Sequence, residues 1–376
     1  MKKNNKIIIL AIETSCDDTC IALLEAKDQL KPKFKILSNI VSSQVEVHKK
    51  WGGVYPTLAK REHQKNLPKV FKKAMEKAKN PKIDLIAVTV GPGLEPCLWI
   101  GVNFAKDLAQ EINLPIVAIN HIEAHIFANF IKKIQDTKCP LFTHSKIRVL
   151  FPAVCLVVSG GHTQLILMKN YRAKGDISSK AHYRNYKILG ETRDDAAGEC
   201  LDKVARILGL SYPGGPVIET EARCRIKDKK YRIQLPRTMI SQKNYDFSFS
   251  GLKTAVLYHF KNQSEKDRKS KKYTRAMCKE VQQAVIDVLI RKTIKAAKDY
   301  KAKTIILGGG VAANRELRKQ LQEKTKKELP NTKYLTPDTY YCTDNAAMVG
   351  VAAYFSWLKG NIKSWKKIKA DANLKI

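Results

Sequence analysis

AVCLVVSGGHTQLILM, residues 153–168, consists of an apolar run, a tight Ser-Gly-Gly-His turn and a second apolar run. A Gly-Gly break between two such runs predicts a β-hairpin. The opening of the chain has the same layout. Ile7 to Ile12 reads as a buried strand, Glu13, Thr14, Ser15, Cys16, Asp17, Asp18 and Thr19 as a small polar turn, and Cys20 to Leu24 as a returning strand. That turn sets hydroxyls, backbone N–H groups and carboxylates at the end of a sheet, a layout suited to a phosphate with a cation or an attacking water beside it. Two hairpins far apart in the chain, alike in pattern more than in letters, imply two related lobes whose turns face one cleft.

Between the hairpins lies AINHIEAHIF, residues 118–127, an apolar, helix-compatible run. In a helix, His121 and His125 stack on one face a turn apart, so that two imidazole nitrogens can converge on one divalent metal. The acid of the H-E-x-x-H zinc peptidases is displaced here. Glu123 is the third residue and projects roughly 200° around the helix from His121, which places it poorly as a base for metal-bound water. Two histidines on an amphipathic helix can also be no more than partners in a polar interface.

Composition narrows the function classes. A chain of 376 residues with 44% hydrophobic side chains is expected to form two domains. No uncharged apolar run is long enough to span a bilayer, and the start MKKNNKIIILAIETS lacks a cleavage site for secretion. The nine cysteines are scattered and contain no C-x-x-C pair, which fits reduced thiols in the cytoplasm rather than a disulfide framework or a thiolate zinc site. Lys and Arg number 69 against 35 Asp and Glu, a formal charge of +34. Such an excess favours phosphate-rich partners, nucleic acid above all, although a lysine-rich lineage would show solvated basic faces as well. The basic residues gather at Lys69 to Lys79, Arg223 to Arg232, Lys266 to Lys272 and Lys363 to Lys375.

Elsewhere the pattern predicts a strand-like run over Asn39 to Glu46, a long basic helix over Tyr55 to Lys79, and a strand over Asp84 to Val90 running into Gly91, Pro92 and Gly93. A helix over Leu98 to Gln110 and a short strand over Pro115 to Ile119 follow. Lys132 to Arg148 reads as a loop between lobes. In the second half, Glu191 to Gly209 reads as an acidic start running into a helix, the Tyr212 to Pro216 turn as irregular, and Ser250 as a cap. Met277 to Asp299 reads as a long helix. Gly308, Gly310 and Ala313 satisfy a G-x-G-x-x-G/A pattern after a strand, but too little chain follows for a Rossmann domain. An adenosine lying over these glycines, with Asn314 reaching a ribose hydroxyl, fits as well. Asp344 and Asn345 stand at the start of a buried helix.

Together, ETSCDDT at 13–19, HIEAH at 121–125, SGGHTQL at 159–165, DDAAGECLDKVARILGLSYPGGP at 194–216, DFSFSGLKT at 246–254, GGGVAANRELR at 308–318 and CTDNAAM at 342–348 resemble the tRNA N6-adenosine threonylcarbamoyltransferases of the bacterial TsaD type. The resemblance implies an α/β fold of the actin, chaperone-ATPase and sugar-kinase kind (ASKHA), two RNase-H-like lobes around a nucleotide cleft. It implies lobes over 1–120 plus 345–376 and over 121–344. The implied reaction moves the threonylcarbamoyl group of threonylcarbamoyl-AMP to N6 of adenosine 37 in tRNAs reading codons that begin with A. Carried over by position, the metal ligands fall on His121, His125 and Asp344, for one divalent Fe2+ or Zn2+ ion. Substrate contacts fall on Val157, Val158, Ser159, Gly160, Gly161, Asp202, Gly215, Glu219 and Asn314. Asp17 is the candidate for positioning or deprotonating the amine, with Glu13 in support. Implied partners are tRNA and TsaB-like and TsaE-like proteins, with no membrane. Asp18, where the family often has Glu, Glu95 to Cys97 and an added loop at Thr137 to Ser145 depart from the pattern. A sugar kinase or ATPase of the same fold, a metallopeptidase and a regulatory subunit without activity are the competing classes.

Overall fold

The computed structural model describes residues 6–28, 32–131, 143–144, 149–171, 183–224 and 231–376. Most of the 132–148 loop, the added segment 137–145 apart from residues 143–144, and the middle of the 223–232 basic cluster lie outside them.

The first hairpin extends into a three-stranded antiparallel meander of β1 (Ile7–Glu13), β2 (Asp18–Lys27) and β3 (Lys33–Ser43). Beyond the short α1 (Val45–Lys49) and the long α2 (Pro56–Lys77), β4 (Leu85–Gly91), α3 (Glu95–Glu111) and β5 (Ile116–Asn120) add two strands parallel to β1. The chain passes from β5 straight into α4 (His121–Phe127). A two-residue strand, β6 (Thr143–His144), pairs with the outer end of β3. The second lobe repeats the plan. β7 (Ala153–Val158), β8 (Thr163–Tyr171) and β9 (Tyr183–Glu191) form a meander; α5 (Ala197–Ile207), α6 (Gly214–Arg223), α7 (Ser250–Lys261), α8 (Glu265–Arg268) and α9 (Lys271–Asp299) follow. β10 (Thr304–Gly308), α10 (Arg315–Glu328) and β11 (Lys333–Leu335) then close the sheet, with β10 parallel to β7 and to β11. The chain returns to the first lobe as α11 (Ala346–Leu358).

The strand orders are β5-β4-β1-β2-β3-β6 and β11-β10-β7-β8-β9. Apart from β6 they are the same order with the same directions, so the duplication suggested by the hairpins extends through both sheets. This is the two-lobe ASKHA architecture. The antiparallel meander, with β10 added parallel to its first strand, rules out the Rossmann alternative for the glycine motif.

Each sheet is covered on both faces, which is why central strands such as β1, β4 and β10 are buried along their whole length. Alternate residues of β1 and β2 divide accordingly. Ile8, Leu10, Ile12, Ile21 and Leu23 pack under α2 and α3, while Ile7, Ile9, Ala11, Cys20, Ala22 and Leu24 pack under α4 and α11. In the second lobe Val154, Leu156 and Val158 meet α5, α6, α7, α9 and α10, and Ala153, Cys155 and Val157 meet α4. The helix α4 therefore serves both lobes: Ala124 and Phe127 belong to the core with α11, Ile122 and Ile126 to the core with β7 and β10.

In the second lobe three local expectations change. The acidic stretch after Glu191 is not helical, because Thr192 to Asp195 turn the chain over the end of β8 and α5 begins only at Ala197. The glycine-proline turn at 212–216 is not irregular throughout: Gly214, Gly215 and Pro216 form the first turn of α6, where a proline's missing N–H has no helical partner to lose. Ser250 is the first residue of α7 rather than its cap. The capping acceptor is Asp194, whose Oδ1 accepts from the N–H groups of Phe249 and Ser250 at 2.8 and 3.2 Å.

Candidate metal and nucleotide site

Asn120 ends β5 and starts α4: its side-chain oxygen accepts from the N–H groups of Ile122 and Glu123, which sets the first helical turn where His121 is needed. One turn on, the Nε2 atoms of His121 and His125 stand 3.1 Å apart. Asp344 arrives from the loop that Asn345 caps into α11, with its Oδ1 3.2 Å from His125 Nε2 and 3.7 Å from His121 Nε2. Among the described residues these three form the one cluster with metal-ligand spacing. A tetrahedral ion with bonds of about 2.1 Å holds its ligands about 3.4 Å apart, so the triangle fits a first-row divalent metal with a coordination position left for substrate.

The surroundings prepare these donors. Glu13, fully buried, accepts from Ser15 N–H at 2.6 Å and from the Thr89 hydroxyl at 2.7 Å, and its Oε2 lies 3.0 Å from His121 Nδ1. A carboxylate on Nδ1 keeps the proton there and leaves the Nε2 lone pair to the metal. Burial alone would lower the His121 pKa, but Glu13 and Asp344 raise it to about 9. Burial and the neighbouring His121 charge lower that of His125. Burial opposes ionisation of Asp344, yet the two histidines hold it well below the usual carboxylate range. Glu123 is turned away from this cluster and accepts from the Tyr186 hydroxyl at 2.9 Å. The acid of the HIEAH motif is therefore engaged elsewhere and does not take the place of the peptidase base.

Asp17 faces the same cluster from the first hairpin turn. Burial and the charge of Asp344 raise its pKa, and its own charge acts across the cleft on Asp202 and Tyr212. Burial pushes Asp202 up to about 6, against the hydrogen bonds it accepts from Gly214 and Gly215 N–H and with the help of Asp17. Glu219 accepts from Arg315 N–H at 3.1 Å, beside Asn314. Asn314 caps α10 through Leu317 N–H at 2.9 Å and donates to Gln282 at 2.8 Å, which leaves one amide hydrogen and one lone pair for a ligand.

The 159–162 turn closes on itself, with Ser159 N–H bonded to His162 O at 2.8 Å and His162 N–H to Ser159 Oγ at 3.1 Å. Nothing lies within 4 Å of where a Cβ on Gly160, Gly161 or Gly310 would sit, so these backbones border open space. Gly309 differs: at φ +90 its added Cβ would lie 2.3 Å from Val158 O. Only glycine lets β10 end against the second hairpin there. The structure thus brings Glu13, His121, His125 and Asp344 together, with Asp17 in electrostatic reach of Asp344. In the second lobe Val157 and Val158 end β7, Ser159 to Gly161 form the hairpin turn, Asp202 lies within α5, Gly215 and Glu219 within α6, and Asn314 caps α10.

Two further participants, His162 and Asp194, have no role assigned from sequence although both lie inside the family's motifs. The His162 ring centroid lies 6.4 Å from that of His121, and burial with the charges of His121 and His125 lowers its pKa to about 4. Asp194 ties α7 to the start of α5, accepting also from the hydroxyls of Ser248 and Ser250 at 2.5 and 2.6 Å. Its position ahead of an alanine pair and the serines of DFSFSG were the available signals.

The model of the TsaD family, tRNA N6-adenosine threonylcarbamoyltransferase, matches residues 35–351. The chain belongs to the TsaD family. The curated family member of Thermosipho africanus is 45% identical over 98% of this chain and all of its own, and that of Clostridioides difficile 41% identical over 98% of each. TsaD proteins are transferases by name, and the matched spans include both lobes. Among solved structures, HypF of T. kodakarensis superposes with a TM-score of 0.54 at 12% identity, over 94% of this chain and 48% of HypF. At that identity the likeness concerns the fold alone. No helix among the described residues is long and apolar enough to cross a membrane.

Proposed function

We propose that the chain transfers the threonylcarbamoyl group of threonylcarbamoyl-AMP to N6 of adenosine 37 in tRNAs reading codons that begin with A. The observation that carries this is the convergence of His121 and His125 Nε2 with Asp344, backed by Glu13, in a TsaD-family chain. A divalent ion held by these three side chains, Fe2+ or Zn2+, would supply Lewis-acid polarisation to a bound acyl phosphate. Glu13 acts through His121 and is a positioning residue. The N–H groups of Gly160 and Gly161, in the turn that Ser159 closes and with Val157 and Val158 behind it, cradle the adenylate, and Asp202, Gly215, Glu219 and Asn314 hold its sugar and base. The N6–carbon bond forms as the carbon–oxygen bond to the phosphate breaks. AMP leaves with the electron pair, and the proton shed by N6 passes to Asp17, whose raised pKa suits a carboxylate base.

The setting we propose is cytoplasmic, with TsaB-like and TsaE-like proteins as partners. The test is reconstitution with threonylcarbamoyl-AMP, unmodified tRNA and either metal, read by mass analysis of the nucleosides. N6-threonylcarbamoyladenosine is the expected product. Its absence with metal loaded and both partners present would overturn the proposal, and phosphoryl transfer from ATP to a small molecule would point to a kinase instead.

A further inference from the structure

A cavity of about 470 Å³ opens beside Asp344, between β3 and the loop leading into α11. Its lining includes Asn39, Val41, Thr343 and Tyr340, and it shares Asp344 with the metal cluster. Asn39 is 9% exposed, yet neither its amide oxygen nor its amide nitrogen has a hydrogen-bond partner. A buried amide left unsatisfied on both atoms destabilises the fold unless water or a ligand completes it, and here it lines a cavity that can admit one. By contrast, Asn345 beside it has partners on both amide atoms, accepting from Met348 N–H and donating to Thr343 O at 2.8 Å. Tyr340 is 52% exposed and Val41 40% exposed at the rim, so the cavity offers apolar flanks to a flat group.

We propose that this cavity is the pocket for the acceptor base, adenine 37 of the tRNA, an inference that rests on the transferase function above. A side-chain amide presents an acceptor and a donor side by side, which matches the exocyclic amine and a neighbouring ring nitrogen of adenine. The Tyr340 ring supplies the stacking face by which proteins hold an extruded base. Asp344 joins the two compartments, so a base seated here brings its N6 to the metal cluster while the adenylate of the donor lies against the second lobe. Asn39 Oδ1 accepts one N6 hydrogen and leaves the other free to depart during transfer.

The experiment measures binding of anticodon stem-loop RNA carrying adenosine, 7-deazaadenosine or 1-deazaadenosine at position 37 to the full chain, alongside tRNA turnover. Asn39→Ala should lower affinity and kcat/KM for tRNA by about 5- to 150-fold, the range a bidentate amide–adenine pair is worth. It should leave bound metal and the Kd of a non-hydrolysable threonylcarbamoyl-AMP analogue unchanged. Thermal stability should stay level or rise, since an unsatisfied amide is removed, whereas a structural role would lower it. One deaza RNA should bind the parent more weakly and show no further loss with Asn39→Ala. Tyr340→Ala, at an exposed position, should weaken the stem-loop independently of folding.

Equal binding of all three RNAs by parent and variants would overturn the assignment. So would a loss confined to the adenylate analogue, which would give the amide to the donor's adenine. Because binding is read apart from turnover, an inactive parent that still discriminates the deaza RNAs would count against the reaction proposed above and not against the pocket.

Discussion

Glu13 is the residue on which the metal cluster leans, although it ligates nothing. Its carboxylate fixes the His121 tautomer, so Glu13→Gln should keep the fold and the three ligands but lower metal affinity by about 10- to 100-fold, measured by competition with a chelator. His121→Ala or His125→Ala should remove bound metal and most transfer activity, because two remaining protein ligands hold a first-row ion weakly. Full metal occupancy in the double variant would refute the assignment. Asp18 makes a prediction in pH. Burial pushes it up to about 7, the bond from Ser43 opposing and the charges of Asp17 and Asp344 assisting, from a reference of 3.8. The folded chain thus keeps a proton that the unfolded chain has released between about pH 4 and 7, and stability falls as pH rises through that window. Asp18→Asn should match the parent in Tm near pH 4 and exceed it at pH 8. The histidine pair and Asp344 were legible as residues, because ligand chemistry restricts type and spacing. The partners of Glu13 were not, since Thr89 meets it from another strand.

At the level of elements, long apolar runs announced themselves, and both hairpins formed at the predicted turns. Boundaries set by distant groups did not. The start of α7 depends on Asp194, dozens of residues upstream, and no local pattern at Ser250 could disclose that. Asp194→Ala should strip acceptors from two N–H groups and two hydroxyls, costing about 1–3 kcal/mol, visible as a lower denaturation midpoint with bound metal unchanged. An unchanged midpoint would mean that the serines recap the helix themselves. The α6 start was hidden for a related reason: glycine and proline argue against a helix interior, but the first turn exempts them. A strand prediction over Asn39 to Glu46 missed at both ends: β3 begins at Lys33, where alternating lysines conceal the period, and it stops at Ser43, with Val45 and Glu46 already in α1.

Across the whole molecule, charge is the broadest signal. The lysines of 69–79 on α2, of 266–272 around α8 and of 363–375 in the tail are largely exposed. If this surface carries tRNA, affinity should fall steeply with salt, and neutralising the tail lysines should flatten the slope by about 0.7 to 0.9 for each phosphate they neutralise in the parent. Turnover on saturating tRNA should stay near that of the parent, since phosphate-binding lysines position the substrate without taking part in chemistry. A slope unchanged by those substitutions would assign the lysines to solubility. The duplicated plan was legible from two turns because both lobes expose their first hairpin to the cleft; the identical strand order needed pairings over hundreds of residues.

The return of α11 beneath β1 orders events during synthesis. The core of β7 and β10 with α5 to α10 is built from residues 154–342 and can close while the last helix is still within the ribosome. The first strands to emerge cannot, because Ile9 and Ala11 wait for Met348, Val351 and Ala352 to cover them, and Asp371 must arrive to bond Val90 O. The chain can therefore close the core of its second lobe before that of its first, and the half that appears earliest keeps one face of its sheet open the longest.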